Sequence, residues 1–150
     1  MPSLRPILLA EDNPNDVELV VTALKEARIV NEIIVARDGA EALDCLHRRG
    51  IFAGRTSSQP AVILLDLKMP KVDGREVLRQ IRSTPSLKEI PVVVLTSSRE
   101  ESDVLKSYEL GVNAYVVKPV DFEEFTAAVA KLGCFWALLN ELPPEKIARS

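Results

Sequence analysis

Cysteine is scarce: 150 residues hold two, Cys45 and Cys134, far apart in the chain. That spacing excludes a disulfide framework and a thiolate metal cage, and both read as small buried hydrophobes. Positive charge is not in excess either. The formal net charge is -3 at pH 7 and the pI about 5.3. A chain so balanced has no global field to attract a phosphate backbone, so no nucleic-acid partner is expected. Long apolar runs are missing as well, with nothing approaching the roughly 20 residues of a membrane span. The opening Met1-Pro2-Ser3-Leu4-Arg5-Pro6 lacks a signal peptide's apolar stretch, so no membrane insertion and a cytoplasmic location are expected. There is no internal repeat or low-complexity tract, and the ten prolines are scattered rather than massed in a linker. What remains is 47% hydrophobic and 27% charged, the balance of one soluble domain able to bury its own core.

Strand-like and helix-like segments alternate five times. Residues 7–10, 62–65, 92–95 and 115–117 are short apolar runs, and 33–36 is rich in β-branched residues. Runs of this kind suit strands covered on both faces, and helical patterns between them imply βαβ crossovers in a parallel sheet. The expected fold is therefore doubly wound α/β, with helices on both faces. Helix starts are marked by side chains that can accept from unpaired N–H groups. Asn13-Pro14 has an N-cap followed by proline at the first helical position. Ser98 with Glu101, and Asp121 with Glu124, have capping-box spacing, and Gly74 is expected to open the third helix. Residues 51–60 carry turn formers without a period and read as a surface loop.

In an open α/β sheet, ligands bind outside the carboxyl ends of the strands. Glu11 and Asp12 follow the first strand, Asp66 the third and Lys118 the fifth, while Thr96 ends the fourth. Three carboxylates at one sheet edge repel one another when ionised, and a divalent cation that prefers hard oxygens relieves this. Mg²⁺ is the natural candidate. Lys118 adds positive charge, and Thr96 offers a hydroxyl to an incoming phosphoryl oxygen. Each residue alone would be an ordinary polar strand end; jointly they describe a phosphoryl-transfer site.

The motifs Leu-Leu-Ala-Glu11-Asp12-Asn, Leu-Leu-Asp66-Leu-Lys-Met-Pro70-Lys-Val-Asp-Gly74, Val-Leu-Thr96-Ser-Ser and Ala-Tyr115-Val-Val-Lys118-Pro119 resemble the receiver domain of bacterial response regulators. The resemblance runs from Ile7 to about Leu139. It implies a flavodoxin-like, five-stranded sheet in the order 2-1-3-4-5, with Asp66 as phosphoacceptor for a sensor histidine kinase. It further implies that Glu11 and Asp12 are metal-site carboxylates, that Lys68 is a backbone-carbonyl ligand, and that Lys118-Pro119 is a cis peptide. Lys68 and Ser98 would flank the phosphoryl group and modulate the approach of water. Thr96 and Tyr115 would be the switch, changing the face of the fourth helix, fifth strand and fifth helix. His47, the lone histidine, reads as a surface residue rather than a phosphocarrier.

Two alternatives stay open. Haloacid-dehalogenase phosphatases, which hydrolyse small phosphates through an aspartyl phosphate, carry a second Asp two residues after their nucleophile, where Lys68 stands here. A pseudo-receiver would keep the fold without the chemistry. On the leading reading the chain is no enzyme toward a separate substrate, but it would catalyse its own phosphorylation and dephosphorylation.

Residues 1–140 are expected to form the receiver and 141–150 a tail without an effector domain. The 51–60 loop and the ending Leu132-Gly-Cys-Phe135-Trp136-Ala-Leu-Leu-Asn-Glu-Leu-Pro143-Pro144 resemble single-domain regulators partnered with bacterial phytochrome kinases. Phe122, Phe125, Val129, Leu132, Trp136 and Leu139 recur at spacings of three and four, and Phe135, Leu138 and Leu142 add a second stripe. At 100° per residue the combined arc grows to roughly 200°, more than a helix needs to cover a sheet. A homodimer through Phe135, Trp136, Leu138 and Leu142 is the expected use of that surplus, with the kinase's helices as the rival occupant.

Overall fold

The computed structural model describes residues 5–26, 29–96, 109, 111–112 and 114–117. In chain order these form β1 (Ile7–Ala10), α1 (Pro14–Glu26), β2 (Ile33–Ala36), α2 (Gly39–His47), a 3-10 turn (Gly50–Phe52), β3 (Val62–Leu65), α3 (Gly74–Ser83), β4 (Val92–Thr96) and β5 (Ala114–Val117). All five expected strands are present. Two are one residue longer than their apolar runs, because Thr96 pairs with Val117 and Ala114 with Val93. Every pairing is parallel and the order is β2-β1-β3-β4-β5, so the doubly wound sheet stands as expected.

The period of two divides the central strands between two cores. Leu8, Ala10, Ile63, Leu65, Val92 and Val94 lie on the face covered by α2 and α3, with Leu43, Leu46, Val77, Leu78 and Ile81. Ile7, Leu9, Val62, Leu64, Val93 and Leu95 lie on the opposite face with Val20, Ala23 and Leu24 of α1. Helices thus cover both faces, which is why the central strands are continuously apolar in sequence.

The helix starts have identifiable acceptors. Asn13 Oδ1 accepts from Asn15 N at 2.8 Å and Asp16 N at 3.3 Å, ahead of Pro14. Asp38 caps α2 by accepting from Glu41 N, and Asp73 caps α3 by accepting from Arg75 N and Glu76 N. The two Asp caps are additions to the sequence reading, whereas Gly74 opens α3 as expected. The two capping boxes at Ser98 and Asp121 lie outside the described residues. On the outer face of α3, side-chain hydrogen bonds from Arg79 and then Gln80 hold Glu76 down to about 2, as a carboxylate bonded in its charged form must be.

Cys45 is buried, and burial pushes its thiol up, which suits the inert role expected of it. His47 ends α2 and is exposed. Cys134 lies outside the described residues. The 51–60 loop is more ordered than its composition suggests. It continues the 3-10 turn, and Arg55 donates to the Cys45 carbonyl, the Ser57 and Ser58 carbonyls and Gln59 Oε1. Gln59 in turn donates to the Leu46 carbonyl at 2.8 Å, tying the loop to the end of α2. No helix among the described residues is long and apolar enough to cross a membrane.

Candidate functional site

Parallel pairing carries the residue after each strand into the same ladder. Glu11 N donates to Ala36 O at 2.9 Å and Asp66 N donates to Ala10 O at 3.0 Å, so each acid sits one step past its own strand. Because β1 and β3 are neighbours, Glu11, Asp12 and Asp66 meet at the carboxyl edge of the sheet. One carboxylate oxygen from each lies within 4.8 Å of the others. Glu11 is 1% exposed and Asp66 5%, whereas Asp12 reaches solvent. Backbone amides fix two of them: Asn13 N donates to Glu11 Oε2 at 3.2 Å, and Lys68 N donates to Asp66 Oδ1 at 3.1 Å.

The donor set is all hard oxygen, partly withdrawn from water and open on the Asp12 side. This fits a divalent cation such as Mg²⁺ or Mn²⁺, which prefers hard oxygen ligands and retains part of its water shell. The same closeness is unfavourable for the bare carboxylates, whose mutual repulsion is little screened once water is excluded.

The loop after β3 is held from the α3 side. Gly74 N donates to Leu67 O at 2.8 Å, and a Cβ on Gly74 would meet Asp66 O at 2.3 Å. Thr96 ends β4 on the same sheet edge, and Tyr115 lies in β5 opposite Val94. Lys118, Pro119 and Ser98 lie outside the described residues, as do Phe135, Trp136, Leu138 and Leu142. Sequence reasoning missed Lys71 and Asp73 within the β3–α3 loop, and Asp38 and Gly39, which meet it from the start of α2. The signal available for Asp38, Gly39 and Asp73 was the Asp-Gly pair repeated ahead of two helical patterns, at 38–39 and 73–74; Lys71 carried none.

Residues 7–130 match the response regulator receiver domain, a span inside the expected 1–140, and the chain belongs to that family. It is accordingly a response regulator, acting in signalling that depends on phosphorylation, and a homologue of phytochrome response regulators. Response regulator Rcp1 of Synechocystis sp. is 45% identical over 137 residues, which cover 91% of this chain and 92% of Rcp1. A solved structure of Rcp1 in its Mn²⁺-bound form matches with a TM-score of 0.77 over 88% of this chain and 94% of that one. The bacteriophytochrome response regulator RtBRR is 63% identical, with a TM-score of 0.79 over 97% of this chain and 87% of that one. The phosphorylated cyanobacterial phytochrome response regulator RcpA is 42% identical, with a TM-score of 0.80 over 94% of this chain and 99% of that one.

Proposed function

We propose that Asp66 accepts a phosphoryl group from the phosphohistidine of a sensor histidine kinase, and that the relatives' names point to a bacteriophytochrome as that kinase. The observation that carries the reading is the convergence of Glu11, Asp12 and Asp66 within 4.8 Å at the carboxyl edge of the sheet. Mg²⁺ bound by Glu11, Asp12, Asp66 and the Lys68 carbonyl would neutralise charge on the phosphoryl oxygens. An Asp66 oxygen forms the new O–P bond while the donor's P–N bond breaks, the electron pair leaving on the imidazole nitrogen. No general base is required of the chain, since the attacking group carries no proton to remove. Positioning and electrostatics do most of what catalysis there is. Lys118 holds a phosphoryl oxygen, Thr96 moves to donate to another, and Tyr115 turns with it, so the surface beside β5 differs between the two states. Lys68 and Ser98 set how readily water reaches the acyl phosphate, and so the rate of self-dephosphorylation. The exchange takes place in the cytoplasm, where a kinase transmitter would meet this chain.

Incubation with a small phosphodonor and Mg²⁺, followed by intact mass measurement, tests the reading. One added phosphoryl group per chain is the expected result; none, with Mg²⁺ bound, would make the domain a pseudo-receiver. Glu11→Ala and Asp12→Ala should each weaken Mg²⁺ binding by roughly tenfold while leaving the chain folded, because each removes a ligand but also relieves repulsion. Calorimetric titration checks this, and unchanged binding in both variants would place the metal elsewhere.

The surplus apolar stripe of the C-terminal segment supports a homodimer through Phe135, Trp136, Leu138 and Leu142. Phe135→Glu combined with Leu138→Glu should give a folded monomer that still takes phosphate on Asp66. Sedimentation of the wild-type chain as a monomer at micromolar concentration, in both phosphorylation states, would assign that stripe to another protein.

A further inference from the structure

The loop between β3 and α3 is braced against the start of α2. Asp38 is 7% exposed and uses both oxygens: Oδ1 accepts from Glu41 N at 2.8 Å, and Oδ2 faces Lys71 Nζ at 3.5 Å. Lys71 sits at φ 70, in the left-handed region that a lysine does not choose unaided. Beside it, Gly39 approaches the loop so closely that a Cβ there would lie 1.7 Å from Val72 O. Val72 also packs against the core on the α2–α3 face. Three residues upstream of Lys71, the Lys68 amide donates to Asp66 Oδ1.

We infer that Asp38 and Lys71 are positioning residues for the cation site: their ion pair, seated beside the Gly39–Val72 contact, fixes the β3–α3 loop and through it the Lys68 backbone beside Asp66. The inference rests on the metal-binding reading above and deepens it by extending the site to a second helix. A left-handed residue in a short loop is held by what surrounds it, and here the surroundings are a buried carboxylate and a backbone contact with no room to shift. Releasing the pair frees the loop to relax, and the Lys68 backbone with it.

The test titrates Mn²⁺ alone into the full chain and counts free ion by electron paramagnetic resonance. The variants are Asp38→Asn, whose amide oxygen can still cap Glu41 N, Lys71→Gln, and the double. A role through the field alone gives opposite signs, since losing a positive charge tightens cation binding and losing a negative one loosens it. Positioning gives the same sign. Both single variants should bind Mn²⁺ about threefold more weakly, the double no more weakly than either, and Lys71→Arg as wild type. Tighter or unchanged binding in Lys71→Gln, or singles that add in the double, would overturn the inference. Hydrogen exchange at the Lys68 amide, measured without metal, should accelerate in both singles. If the wild-type chain takes no Mn²⁺, the metal reading fails, and unaltered exchange at Lys68 would then overturn the positioning role independently.

Discussion

Replacing Asp66 by asparagine is expected to abolish phosphorylation from small phosphodonors, to below about a hundredth of the wild-type incorporation. The acceptor must present an ionised oxygen that can become an acyl phosphate, and an amide cannot. The substitution is otherwise mild. An asparagine oxygen can still accept from Lys68 N, as Asp66 Oδ1 does at 3.1 Å, so the loop keeps its anchor. Removing one charge from three carboxylates held within 4.8 Å also relieves repulsion, so the metal-free variant should melt at a higher temperature than the metal-free wild type. Intact mass spectrometry and a thermal melt check the two halves together. Full acid-labile incorporation in Asp66→Asn would move the acceptor to another side chain. A lost signal with a lowered melting temperature would point instead to damage of the fold.

The carboxylate cluster was legible in sequence because it is a consequence of topology rather than of side-chain packing. Once residues 7–10 and 62–65 are read as parallel neighbours, the residues after them must share an edge, and the hydrogen bonds of Glu11 N and Asp66 N extend the ladders accordingly. Asn13-Pro14 was legible for a local reason, since cap and helix start are adjacent in the chain. The Arg55 network was not legible. Its partners, the Cys45 carbonyl and Gln59, are chosen by the path of a loop that has no period, and arginine there reads as one more surface charge. Lys71 was illegible for a different reason: nothing in lysine announces a positive φ, and its partner Asp38 lies 33 positions away on another element. The sequence pattern thus places the carboxylates together, while Arg55 and Lys71, which tie loops to other elements, are visible only in three dimensions.

Gly74→Ala should cost about 2 to 4 kcal/mol of stability, with a slower phosphorylation rate in the fraction that folds. A Cβ built at Gly74 meets Asp66 O at 2.3 Å, Leu67 Cα at 2.6 Å and Asp66 C at 3.0 Å. All three are main-chain atoms, so no rotamer change makes room. Either the first turn of α3 lifts off, breaking the Gly74 N to Leu67 O bond and disturbing the Asp73 cap, or the end of β3 moves. The second response displaces Asp66, the proposed acceptor, since the atom struck first is its carbonyl oxygen. Gly54 is the control, because a Cβ there meets nothing within 4 Å. Gly54→Ala should be neutral or slightly stabilising, as it reduces the freedom of the unfolded chain without adding a clash. Urea denaturation of both variants beside the wild type separates the cases. Equal stability of Gly74→Ala and Gly54→Ala would mean that α3 is not seated against Asp66, and the close approach that fixes the Asp66 backbone would have to be abandoned.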